Sequence, residues 1–265
     1  MGVLSDEKAP KVDSREYSRK RTMALIVRPI DQLDVNSVIF NAPKVNDFGG
    51  KAIYLNLPGK QKMIFQLPSM RNPFGLSNFV DKASGKASYS LSVSLDSNPE
   101  IADQFKALDE RVLDFVEANS TTLFGKKVNK ATIRDVMYTS PIRRDKEGKY
   151  PETLYTKVMQ TRDGKSFAVE AYESNRKPAD LSTLEKGRSV MTIIEINQVW
   201  VIGMKCGVSV RLQQILFAPK TQLKGFSFVG VEDAPAAAAE DEDEEEAEID
   251  APEDEEEYEE EEADV

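Results

Sequence analysis

Apolar residues recur along this chain at two spacings, and the change from one to the other separates its elements. Between residues 87 and 95, Tyr89, Leu91, Val93 and Leu95 alternate with serines. A period of two over that length predicts a half-buried strand. Shorter runs of the same kind precede it. Ser37-Val38-Ile39-Phe40 ends at Asn41-Ala42-Pro43, residues 51–57 alternate around Ile53, Leu55 and Leu57, and 62–67 stop at Pro68. Over 99–118 the period lengthens. Ile101, Phe105, Leu108, Val112 and Phe115 fall on one helical stripe. Asn98 suits the N-cap, Pro99 the first turn, and Glu100 the positive end of the helix dipole.

After Gly125 the pattern returns to strands. Residues 153–159 and 166–172 flank Arg162-Asp163-Gly164, which reads as a hairpin. Runs at 190–196, 199–204 and 208–217 follow, punctuated by Gly187, Gly203 and Gly207 as positions for a bulge or bend. Several short strands with one long helix predict a mainly β fold, a small barrel with long insertions. Residues 1–22 have no apolar period and read as a flexible arm carrying Arg19-Lys20-Arg21. The apolar set lies in the body, 23–231. From 232 to 265 the chain is Ala/Pro and then nearly all Asp and Glu, which self-repel and form no core.

Charge changes this picture. The chain holds 35 Lys and Arg against 46 Asp and Glu, for a formal −11. Of those acids 21 lie between Glu232 and Val265, where there is no Lys or Arg. The remaining 25 face all 35 bases, so residues 1–231 carry a formal +10. A basic body suits a polyanionic partner.

There is no histidine and one cysteine, Cys206. His-dependent triads, His metal ligands and an intramolecular disulfide are excluded. Gly49-Gly50-Lys51 lacks the spacing of a phosphate loop. Cys206 beside Lys205 reads as a lowered-pKa thiol or as a small core residue. No run reaches the roughly 20 apolar residues of a membrane span, and the first residues lack the apolar core of a signal peptide. A non-enzymatic protein without cofactor or metal, in an intracellular reducing compartment, is expected.

The most specific motif runs from Gly187-Arg188-Ser189-Val190 through Gln198-Val199-Trp200 into Gly207-Val208-Ser209-Val210-Arg211-Leu212-Gln213. A Gly-initiated strand, a loop with an indole and a second Gly-initiated strand resemble the C-terminal strands of the single-stranded-DNA-binding proteins of T-seven-like phages. Counterparts in large nucleocytoplasmic DNA viruses look closest. The strand at 89–95 followed by Asn98-Pro99 and the helix is similar to that family, as are the strand at 153–159 and the acidic tail. The resemblance covers roughly residues 87–265. The chain departs from the phage pattern in that Ala263-Asp264-Val265, not an aromatic residue, follows the acids.

The resemblance implies an OB-fold, a Greek-key barrel with a nucleic-acid groove, non-sequence-specific binding of single-stranded DNA, and a role in viral DNA replication, recombination or repair. Trp200 is the first stacking candidate, beside Lys205. Tyr155 and Lys157 lie on the strand resembling the family's basic-aromatic one, with Tyr155 facing either DNA or core. From composition, Arg71, Phe74 and Phe79 form a basic-aromatic Pro/Gly loop, and Arg143 and Arg144 follow Pro141 in another. The tail is expected to compete for the DNA groove and to recruit replication enzymes such as DNA polymerase or helicase, at a viral replication site in nucleus or cytoplasm or packaged in the virion. Assembly as a homodimer is left open. The competing readings are an acidic-tailed histone-chaperone-like protein, whose body is usually acidic too, and a virion structural protein.

Overall fold

The computed structural model describes residues 25–46, 49–82 and 85–217. The arm at 1–22, the end of the body and the tail at 232–265 lie outside the described residues. The principal strands are β1 (Lys51–Leu57), β2 (Ile64–Gln66), β3 (Leu76–Val80), β4 (Ala87–Ser94), β5 (Thr153–Val158), β6 (Glu170–Glu173), β7 (Ser189–Ile202) and β8 (Lys205–Phe217). One long helix, α1 (Pro99–Ala118), lies between β4 and β5. The mainly β fold with one long helix is as the periodicity predicts.

Five strands define the barrel. β3 pairs antiparallel with β4, and β4 with β5. β5 meets β8 in parallel at Lys157 and Arg211, and β8 returns to β7 as an antiparallel hairpin through Gly203-Met204. Taken in chain order, the spatial order is 1-2-3-5-4, that of an OB-type Greek key.

Closure falls to one bent segment, residues 70–80. Its start, Met70–Arg71, pairs with Val190 and Ser189 of β7, while its end is β3, paired with β4. Between them the Asn72 N–H donates to the Arg188 carbonyl (2.7 Å), and the Gly187 N–H donates to the Asn72 carbonyl (2.6 Å). The buried Asn72 side chain accepts N–H bonds from Phe74 (3.3 Å) and Gly75 (3.0 Å) through Oδ1. Gly75 has φ 74°, and a Cβ there would sit 3.2 Å from the Lys186 nitrogen. The stretch that reads as a Pro/Gly loop is therefore the corner at which the first strand passes from one end of the sheet to the other.

The long β7 serves two further strands. Its first half pairs with β2 and its second half with β1, so residues ahead of the barrel widen the sheet. The apolar side fills with Ile53, Phe65, Leu91, Leu154 and Ile194, all fully buried. α1 adds Ile101, Phe105, Leu108 and Val112 from its predicted stripe. Phe115 completes the stripe half-buried, its ring stacked on Phe40 at 4.4 Å and 10°.

Local details differ from expectation. Asn98 precedes α1, but its side chain donates to Glu100 (3.2 Å) and makes no cap bond. The turn at Arg162-Asp163-Gly164 forms, yet beyond a Gln160–Phe167 bridge β6 leaves β5 and pairs in parallel with the end of β8. The runs at 190–196 and 199–204 are one strand, because the polar residues between them are absorbed by a bulge at Asn197.

Candidate nucleic-acid interface

Residues opposite one another on paired strands point to the same side of the sheet. Inward on β5 lie Leu154, Thr156 and Val158, opposite Val93, Leu91 and Tyr89. Outward lie Tyr155 opposite Ser92, and Lys157 opposite Ser90. Ser90 has Ser77 on its other side, and Ser88 has Phe79. Lys157 is also in register with Arg211. The outward row thus runs Ser77, Ser90, Lys157, Arg211, Glu195 across five strands.

The face continues along β8. Ser209 is opposite Gln198, and Gln198 opposite Tyr54 of β1. Gly207 is opposite Trp200, Trp200 opposite Ala52, and Ala52 opposite Lys44. Gly207 and Arg211 are four positions apart, about 13 Å along a strand. Serine, alanine and glycine alternate with long basic and aromatic side chains, so rings and cations stand above a low floor.

That floor is polar and buried. Glu195, Asn197, Gln198 and Ser209 are each under 8% exposed although they lie on the side away from the apolar core. The Glu195 carboxylate is neutralised by Lys62 Nζ at 3.0 Å and accepts from Gln213 Nε2 at 2.6 Å. Turning the Asn197 amide so that its oxygen faces Arg211 lets it accept from Nε and Nη2, at 3.2 Å each. The Arg143 guanidinium lies 5.0 Å from the Tyr155 ring centre. The Trp200 indole lies against Gly207, since a Cβ on Gly207 would be 2.7 Å from Cζ2 and 2.6 Å from the Thr139 carbonyl.

The chain is similar to phage single-stranded-DNA-binding proteins. One such structure is the single-stranded DNA-binding protein from bacteriophage Enc34 in complex with single-stranded DNA (14% identity, TM-score 0.38, 70% of this chain and 98% of that one). A C-terminal truncation of the Enc34 protein matches at 12% identity and TM-score 0.35, over 69% of this chain and 96% of that one. No protein-family model matches the chain, and no curated protein matches it.

The structure brings most of the expected site residues to this face and leaves others apart. Tyr155, Lys157, Phe79 and Arg143 share the surface over β3, β4 and β5. Trp200 and Lys205 lie on its continuation over β7 and β8. Trp200 is half-buried in mid-strand, not in a loop, because the bulge at Asn197 keeps β7 continuous. Tyr155 faces outward, which decides between the two orientations open to it. Phe79 is a strand residue, 42% exposed, not a loop residue. Arg71 and Phe74 lie at the barrel corner, and Arg71 is opposite Ser189 at the far end of β7 from Trp200. Arg144 lies outside a strand and donates from Nε to Glu152 at 2.6 Å, whereas Arg143 is a strand residue, paired with Thr153.

Sequence reasoning placed Arg211 in its most specific motif without naming it a DNA contact, and did not single out Tyr54 or Lys44. The signal for the first two is the alternation itself: Arg211 sits between Val210 and Leu212, and Tyr54 between Ile53 and Leu55. Lys44 carried no comparable pattern, since its strand has two residues. Cys206 is resolved as a core thiol. It is buried, and burial pushes its pKa up to about 12. Among the described residues no cluster of His, Cys, Asp or Glu is placed to hold a metal ion, and no helix is long and apolar enough to cross a membrane.

Proposed function

We propose that the outward face of the barrel binds single-stranded DNA without sequence preference. The observation that carries this reading is one strand-to-strand row, with Lys157 and Arg211 in register and Tyr155 and Trp200 on the same side. Lysines and arginines neutralise phosphates and release counterions. Aromatic faces stack on unpaired bases, which contributes about 1–3 kcal/mol per base with little dependence on which base it is. A duplex hides those base faces, so single strands are favoured.

The charge split gives the tail a role in the same reading. A run of 21 carboxylates tethered to a cationic barrel has a high effective concentration at the DNA face. It competes with weak, non-productive binding and is released when DNA is captured. The freed tail is then available to basic surfaces of replication, recombination or repair enzymes such as a polymerase or helicase. The formal +10 of residues 1–231 favours this over a chaperone of basic proteins.

Electrophoretic shift of the full chain with a labelled single strand at increasing salt tests the proposal. Four phosphate contacts give a slope of log affinity against log salt of about −3. Binding that is indifferent to salt, or absent at low salt, would contradict it.

A further inference from the structure

Residues ahead of the barrel build onto this face, and their geometry carries it further. β1 is an added strand beside β7, and the short strand Lys44–Val45 pairs with it in turn. The row through Trp200 reaches Ala52 and then Lys44, while Tyr54 is opposite Gln198. Trp200 and Tyr54 are therefore diagonal neighbours on one side of the pair, about 7–8 Å apart at Cα. Lys44 Nζ lies 5.4 Å from the Tyr54 ring centre. Ala52, whose side chain is a single methyl, lies in register between Trp200 and Lys44, with Tyr54 two residues along its own strand; the indole itself leans to the other side of β7, over Gly207.

We propose that this notch over Ala52 is a separate subsite for one unpaired nucleobase of the bound strand and its adjacent phosphate, lying beyond the five-stranded barrel. The inference rests on the single-strand reading above. Its chemistry follows from the side chains beside Ala52. The Tyr54 ring beside the small Ala52 presents a surface to a base, and every base has a face to stack. The cation meets the phosphate that enters with it. Lys62 pairs with the carboxylate of Glu195 in the neighbouring row, so that acid is offset by a cation. The consequence is a binding site longer than the barrel face alone, with Lys44 and Tyr54 engaged only by strands long enough to reach them.

The test is a titration of the full chain with oligothymidylates of increasing length, in wild type and in Tyr54→Ala, Ala52→Leu, Lys44→Ala and Lys157→Ala. Ala52→Leu fills the notch without altering charge. The expected result is that Tyr54→Ala and Ala52→Leu weaken binding of long oligomers about tenfold and leave the shortest bound oligomer unaffected. Lys44→Ala should reduce the salt slope by about 0.7, and Lys157→Ala should weaken all lengths. Circular dichroism confirms folding, and if Ala52→Leu is unfolded, the Tyr54→Ala result decides. Wild-type binding with equal loss at every length, or no loss, in Tyr54→Ala overturns the subsite and leaves single-strand binding standing. Failure of the wild type to bind any length overturns the functional reading itself.

Discussion

The indole of Trp200 rests on the backbone of Gly207, with no room for a Cβ between them: the gap to Cζ2 would be 2.7 Å. Glycine is required there because a side chain on the outward face of β8 would collide with the ring and with the Thr139 carbonyl together. Gly207→Ala should lower stability by about 1–3 kcal/mol and shift Trp200 emission toward longer wavelength as the ring is lifted into water. Denaturant melts and emission spectra check this. An unchanged spectrum would mean that the indole does not depend on the bare backbone. Trp200 is the only tryptophan, so the signal is unambiguous.

The barrel corner gives a second expectation. Gly75 adopts φ 74° where the closing strand turns. A side chain in that left-handed region costs about 1–2 kcal/mol, and its Cβ would press on the Lys186 nitrogen. Gly75→Ala should therefore lower the denaturation midpoint, whereas Gly148→Ala, a positive-φ loop position with open space around it, should cost only the conformational part.

Much of the fold was legible because alternation over 87–95 and a helical stripe over 99–118 are long signals that neighbours cannot mimic. The strand Lys51–Leu57 was visible for the same reason. What the sequence left hidden was pairing. Nothing local says that β6 leaves β5 for β8, or that residues 70–80 bend to close a barrel. Pro73 and Gly75 signal a turn but not that strands continue on both sides. Trp200 read as lying between strand and loop, and only the bulge at Asn197 shows one strand passing through. Lys157 and Tyr155 were singled out by the resemblance of their strand to a basic-aromatic one. Their partnership with Arg211 is a register fact, absent from any single segment.

A buried carboxyl makes stability depend on pH. Asp109 lies on α1 and accepts from Tyr138 Oη and Ser140 Oγ, both at 2.5 Å. Burial raises its pKa from 3.8 to about 6 against the opposing pull of those two hydrogen bonds, with the Glu110 and Arg144 charges acting in opposite directions nearby. The folded state thus holds this proton at pH values where the unfolded chain has released it. Stability should fall as pH rises from about 4 to about 6 and level off above, a change of roughly 3 kcal/mol. Asp109→Asn should abolish that dependence, since the amide oxygen still accepts a hydrogen bond and carries no charge. Thermal melts of both proteins over pH 4–8 check it, and parallel curves would remove Asp109 as the source.

The tail makes its own prediction. A chain lacking residues 232–265 should bind a short oligonucleotide more tightly at low salt, and the difference should vanish as salt screens the carboxylates. Equal affinity of the two chains at low salt would leave the tail without a competing role.

The most direct test of the central claim follows Trp200 fluorescence of the full chain during titration with a single-stranded oligonucleotide and with the duplex of the same length. Stacking on the outward face predicts saturable quenching by the single strand and at least tenfold weaker response to the duplex, the worth of about one stacked base. Equal quenching by both, or binding of the single strand with no change in emission, would contradict it.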